Sequence, residues 1–231
     1  MIKNSNKLME EKMITIKQVK QDPQVQAYIK RADEYLAVIG YTEHGTRHCG
    51  LVAKRAYNML KELAVPDREA ELSAIASYLH DIGNVINRNN HPYSGAVLAH
   101  TLLRDLGMDI HEITQIVAAI GNHDDDGWEP VSRIAAGLII ADKSDVHRSR
   151  VRNPDMIRFD IHDRVNYAVD KSILDVNSEK KTITLRLTID QKISSVMEYF
   201  EIFLNRMLYC KRAAHFLRTQ FSLVVNENKL L

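Results

Sequence analysis

The chain has 231 residues, 45% hydrophobic and 26% charged, an ordinary globular composition with room for one large domain or a domain plus an appendage. Lys plus Arg is 31 against 30 Asp plus Glu, which excludes a global pull toward nucleic acid or a membrane surface and leaves only local basic patches. The two cysteines, Cys49 and Cys210, exclude a disulfide framework and form no metal or redox motif, and no apolar run approaches the ~20 residues that cross a bilayer.

The opening MIKNSNKLMEEK is polar and lacks the apolar core of a signal peptide, so a cytoplasmic protein is expected. Residues 1–20 are expected to be a loosely ordered lead into a helical pattern that starts near 13. Asp22 and Pro23 read as the cap and first position of a helix whose apolar residues Val25, Tyr28, Ile29, Ala32, Leu36 and Ile39 recur at three and four. Residues 40–63 begin as a turn, with Thr42 as a candidate cap, and become a helix carrying His44 and His48 four apart. Residues 65–83 form a third helix between Pro66 and Gly83, apolar around its last two turns. A polar loop, 87–90, leads through His91 and Pro92 into a helix that stops at Gly107, and the next helix stops at Gly121. From Pro130 a strongly apolar helix turns abruptly polar at Asp142.

The pattern changes after Pro154. A short helix near 160–169 precedes two alternating runs around NSEKK, a β-hairpin signal with Ile183, Leu185, Leu187 and Ile189 on one face. A long amphipathic helix over about 190–218 follows, then FSLVVN as a third strand. The expected fold is mainly α: a helical domain over 21–155 and a small α+β appendage over 156–231, built of a hairpin, a long helix and a strand. The hairpin edge and the helix face would suit pairing of two copies as a homodimer.

SYLHDIGN, 77–84, organises the candidate chemistry. Burying His80 and Asp81 together is costly unless a charged partner uses them, and a metal ion is the simplest such partner. Seven of the ten histidines lie between 44 and 123, and His48, His80, Asp81, His91, His123 and Asp142 each interrupt or end an apolar pattern. Bundles build metal sites from such inward-facing positions. His91 also reads as a turn residue before Pro92, and His123 as part of a solvated turn with Asp124, Asp125 and Asp126.

The order His48, His80-Asp81, Asp142 resembles the H…HD…D series of the HD-domain metal-dependent phosphohydrolases, with RHCGLVAKRA, SYLHDIG and IIADKSDV as the three contexts, over about residues 40–152. HPYSGAVLAH at 91–100 is similar to the HPxxGAxxL stretch of the HD-GYP branch, and GNHDDDG lies where that branch carries paired histidines. The resemblance implies an HD-domain helical bundle with His48, His80, Asp81 and Asp142 around one ion, His91 and His123 on a second, and Asp81 shared. The chain departs from that branch at Asn122 in place of a histidine, at Asn84 in place of lysine, and in GWEP where the GYP signature would stand.

An imidazole and carboxylate ligand set suits Mn, Fe, Co, Ni or Zn. Two ions about 3.5–4 Å apart would hold a bridging hydroxide that attacks phosphorus. The expected function is therefore hydrolysis of a small phosphate ester, nucleotide-like or a phosphodiester, with no membrane and no large nucleic-acid surface as partner. A nucleotide-binding sensory module without turnover and a di-iron oxygenase are the rival readings. His44 is read as ligand, phosphate contact or helix-start residue. Asp145 is read as an orienting group, an acid/base or an ion-pair partner. Lys143, Arg148, Arg150 and Arg152 either complement a helix C-terminus or bind phosphate, with Arg148 and Arg152 the chosen clamp and Asn84 a further substrate contact.

Overall fold

The computed structural model describes residues 13–124 and 129–230. The first dozen residues, Asp125, Asp126 and the start of GWEP lie outside that description. Within the helical pattern expected from 13, and so inside the stretch expected as a loosely ordered lead, α1 (Ile16–Gln21) is a helix, closed at its start by a capping box between Thr15 and Gln18. Asp22 ends it and caps α2 (Pro23–Val38), accepting from the backbone N–H groups of Gln24 and Val25. Thr42 does not cap α3 (Thr46–Glu62). The first residue before that helix is Gly45, which has no side chain to offer, and the Glu43 carboxylate accepts from the backbone N–H of Gly45 at 2.8 Å and of His48 at 3.3 Å.

Helix α4 (Asp67–Leu79) is buried on nearly every face from Ala70 onward, so it forms the axis of the helical core. A 3-10 turn over Ile82–Val85 follows, then α5 (His91–Asp105), α6 (Ile110–Gly121) and α7 (Arg133–Lys143). Gly107 takes φ +85° just past α5, the left-handed conformation that ends a helix there.

The C-terminal part consists of α8 (Ile161–Ala168), β1 (Val169–Asn177), β2 (Thr182–Ile189), α9 (Val196–Phe216), β3 (Gln220–Val225) and β4 (Asn228–Lys229). The sheet runs β1-β2-β3-β4. The expected hairpin is antiparallel, β3 returns parallel to β2 after α9, and β4 adds a short antiparallel edge. Ile183, Leu185, Leu187 and Ile189 are buried on one face, against Tyr199, Phe203, Met207 and Cys210 of α9. Helix α9 starts later than the expected 190 because Ser195 and Glu198 form a capping box there.

Helix α7 belongs to both cores. Ile134, Ala135, Leu138 and Ala141 pack with the N-terminal helices, whereas Ala136, Ile139 and Ile140 pack with α9 and the sheet. A helix apolar all round is what this double burial requires. It also carries Asp142 to the seam between the two halves.

Candidate metal centre

Three of the histidines reach the centre by one local device. The last carbonyls of a helix have no partner within it. His80 donates Nδ1–H to the Ser77 carbonyl at 2.8 Å at the end of α4, and His123 donates to the Ile120 carbonyl at 2.7 Å at the end of α6. His91, at the start of α5, makes the same three-residue contact to the Arg88 carbonyl at 3.1 Å. His48 lies inside α3, where the carbonyls are already used. Its Nδ1–H goes instead to Asp145 Oδ2 at 2.7 Å, across 97 residues of sequence. With Nδ1 committed as donor, each of the four rings leaves Nε2 free to act as acceptor or ligand, that of His91 also lying 3.3 Å from Arg88 Nη1.

Those nitrogens converge. His48 Nε2 and His80 Nε2 are 3.4 Å apart. Asp142 Oδ1 is 3.3 Å from His48 Nε2 and 3.6 Å from His80 Nε2. Asp81 presents Oδ2 to His80 at 3.1 Å and to His48 at 3.6 Å, and Oδ1 to His91 at 3.3 Å. All these groups except Asp142 are under 5% exposed, yet Asp81 Oδ2 has no hydrogen-bond donor. Acceptors turned on one another in a buried place are unfavourable unless a cation satisfies them.

The donor atoms fall into three overlapping sets able to hold a metal: His48, His80 and Asp142; His80, Asp81 and His123; and His91, His123 and Asp124. The residues present therefore fit divalent metal. With no cation present, burial pulls the His80 pKa down, but the carboxylates of Asp81 and Asp142 outweigh it and carry it up to about 10, so a proton occupies the place on Nε2 that a bound metal would take. His123 goes the other way, to about 3, because burial dominates and His80 adds repulsion. Burial works against ionised Asp142, yet Lys143 and the two histidines hold its carboxyl well below the ordinary range.

The other sequence candidates divide. Asp145 is bonded to His48 and to Arg47, and accepts no other ring. Asn84 donates to Asp81 Oδ1 at 3.0 Å, so it steadies that carboxylate. Lys143 is buried with Nζ between Asp142 Oδ2 at 2.9 Å and Asp124 Oδ1 at 2.5 Å. His44 donates Nδ1–H to the Thr42 carbonyl at 2.6 Å and stacks its ring edgewise on His48, with centroids 5.4 Å apart. Asn122 turns its amide back to the Ala118 carbonyl.

Arg148 and Arg152, the chosen clamp, are engaged elsewhere. Arg148 pairs with Asp170 and lies over Tyr167, and Arg152 binds Asp33 and the carbonyls of Tyr41 and Thr42. Both are drawn to carboxylates that the basic run alone does not reveal. In their place Arg88 stands by the centre. It is 3.9 Å from Asp81 Oδ1 and 3.6 Å from Asp124 Oδ2, with its guanidinium over the Tyr41 ring. Nothing in the polar loop 84–90 singles it out. Asp124 also joins the centre; in sequence it was one of three consecutive aspartates, with no period to choose among them.

Gly83 lets the turn after His80-Asp81 lie directly on α5. A Cβ there would meet the His91 carbonyl oxygen at 2.1 Å and the Gly95 nitrogen at 2.5 Å.

A helical core that turns buried imidazoles and carboxylates onto one point is the arrangement in which helical bundles hold metal ions. Residues 45–147, a little under half of the chain, match the family model for the HD domain, which belongs to a superfamily of metal-dependent phosphohydrolases. The chain is also similar to an uncharacterized protein of Methanocaldococcus jannaschii, at 26% identity over 62% of this chain. The match spans 63% of that relative's length. Among the described residues, no helix is long and apolar enough to cross a membrane.

Proposed function

We propose that the protein is a metal-dependent hydrolase of a small phosphate ester, and that it works with two divalent ions. The observation that carries this reading is that Nε2 of His48, His80 and His91, each on a ring fixed through Nδ1, closes on the two oxygens of Asp81, with His123 in the same group of donors. His48, His80, Asp142 and Asp81 Oδ2 would hold one ion. His91, His123, Asp124 and Asp81 Oδ1 would hold the other, and Asp81 would be shared. When bound, such ions supply Lewis acidity, acidifying water and neutralising charge on phosphoryl oxygens.

The chain's own groups do the rest. Asp145 keeps His48 in the tautomer that offers Nε2, and Asn84 holds the Asp81 carboxylate in place. His44 and Arg88 flank the centre and reach toward the substrate's phosphate.

The direct test is hydrolysis by Mn- or Fe-reloaded protein across a panel of nucleotides, phosphodiesters and sugar phosphates. Release of phosphate or alcohol is expected, and its absence across the panel would overturn the reading. Metal is also expected to stabilise the fold. Free metal about a hundredfold above Kd should add about 2.7 kcal/mol, seen as a rise in Tm that chelator reverses. Asp145→Asn is expected to lower metal affinity or activity by about 10- to 100-fold while every direct ligand remains, read by metal titration.

A further inference from the structure

A cavity of about 440 Å3 lies where the HD domain meets the C-terminal part, outside the ring of proposed ligands. This is the size range of small-molecule sites. One wall is formed by Tyr41, His44, Arg88 and Arg150, of which Arg88 lies within the matched family segment, and the other wall is built by α8 and α9, which lie well beyond it.

Two features of that second wall lack partners. Arg206 of α9 lies over the Phe203 ring, its guanidinium carbon 4.4 Å from the centroid, and has no hydrogen bond or ion pair among the described residues. Burial and the neighbouring Arg150 push its pKa down from the ordinary value. Three guanidiniums, Arg88, Arg150 and Arg206, line one cavity; Arg88 faces Asp81 and Asp124, and Arg150 is bonded to the Glu43 and Asp145 carbonyls, which leaves Arg206 as the one without such a partner among the described residues. The second feature is Asn166 of α8. Its side-chain N–H group donates to the His162 carbonyl at 2.8 Å, but its Oδ1 is buried and unpaired, in a residue only 3% exposed. Asp160 and Asp163 line the cavity beside it.

We propose that this wall recognises the substrate: Arg206 takes phosphate oxygens, while Asn166 Oδ1 and the Asp163 carboxylate accept hydroxyl hydrogens of the esterified alcohol. The cavity is cationic on one side and rich in acceptors on the other. Its complement is a phosphate ester of a polyhydroxy alcohol, such as a sugar, rather than of a simple apolar alcohol. The guanidinium fork suits phosphate, and hydroxyl groups supply the donors that a wall of acceptors lacks. The proposal rests on the phosphohydrolase reading above but assigns recognition to a part of the chain outside the HD domain.

The test uses full-length, Mn-loaded protein and calorimetry. Inorganic phosphate should bind at least about tenfold more weakly to Arg206→Ala, with partial recovery in Arg206→Lys and unchanged metal content. Equal binding by wild type and Arg206→Ala overturns the proposal. The second arm compares two non-hydrolysable ligands, methylphosphonate and the phosphonate analogue of ribose 5-phosphate. The hydroxylated ligand should bind about tenfold tighter or more, and Asn166→Ala or Asp163→Asn should erase that margin. No margin in wild type, or a margin that survives both variants, overturns the α8 assignment. Phosphate binding through Arg206 without hydrolysis of any ester would leave this inference standing and remove the reading beneath it. Hydrolysis with a KM unmoved by Arg206→Ala would do the reverse.

Discussion

Asp81→Ala is expected to abolish hydrolysis, by roughly 10³-fold or more, and to cut bound metal from two equivalents to one at most. Every other proposed ligand serves one ion. Asp81 alone turns one oxygen toward His48 and His80 and the other toward His91. Removing it takes a ligand from both sets and leaves the Asn84 amide without its carboxylate. The imidazoles would keep their positions, because Ser77, Arg88 and Asp145 still hold their Nδ1 atoms. Secondary structure by circular dichroism is therefore expected to survive while metal content and turnover fall. Retention of two equivalents by Asp81→Ala would remove the shared role.

Gly83→Ala is expected to be the most destabilising single methyl group in the centre, at about 3 kcal/mol, which is a fall of roughly 6–12 °C in Tm. The atoms an added Cβ would meet, the His91 carbonyl oxygen and the Gly95 nitrogen, are backbone atoms that cannot rotate aside. The turn and α5 must separate, and that motion draws His91 away from Asp81. Loss of metal affinity should accompany the loss of stability. Gly137→Ala in α7 is the comparison. A Cβ there meets the side chains of Ser73 and Leu60, which can shift, so a smaller loss is expected. Thermal unfolding of the two variants, with and without metal, measures the difference; an equal effect would show that the close approach at Gly83 is not what holds the centre.

Much of the helical part was legible, because apolar residues at three- and four-residue spacing and stops at Gly107 and Gly121 act locally. The cap of α3 was not, since Glu43 acts from two residues before Gly45. The hairpin was legible from its alternation, whereas the two-residue β4 is too short to leave a pattern. His48, His80, Asp81, His91, His123 and Asp142 do come together in space. Of the basic cluster, Arg148 and Arg152 turned to Asp170 and Asp33, and Lys143 to Asp124 and Asp142.

By itself, then, the sequence determined the chemistry of the centre. Imidazoles at helix ends carry their own orientation, since a carbonyl three residues back fixes Nδ1 and aims Nε2. Only the tertiary structure decided what surrounds it. Asp145 reaches His48 from 97 residues away. Arg88 enters from an unpatterned loop, and Arg206 from a helix whose period marks only its apolar face. Such choices depend on which carboxylate or cavity each long side chain meets after packing, and no local spacing encodes that.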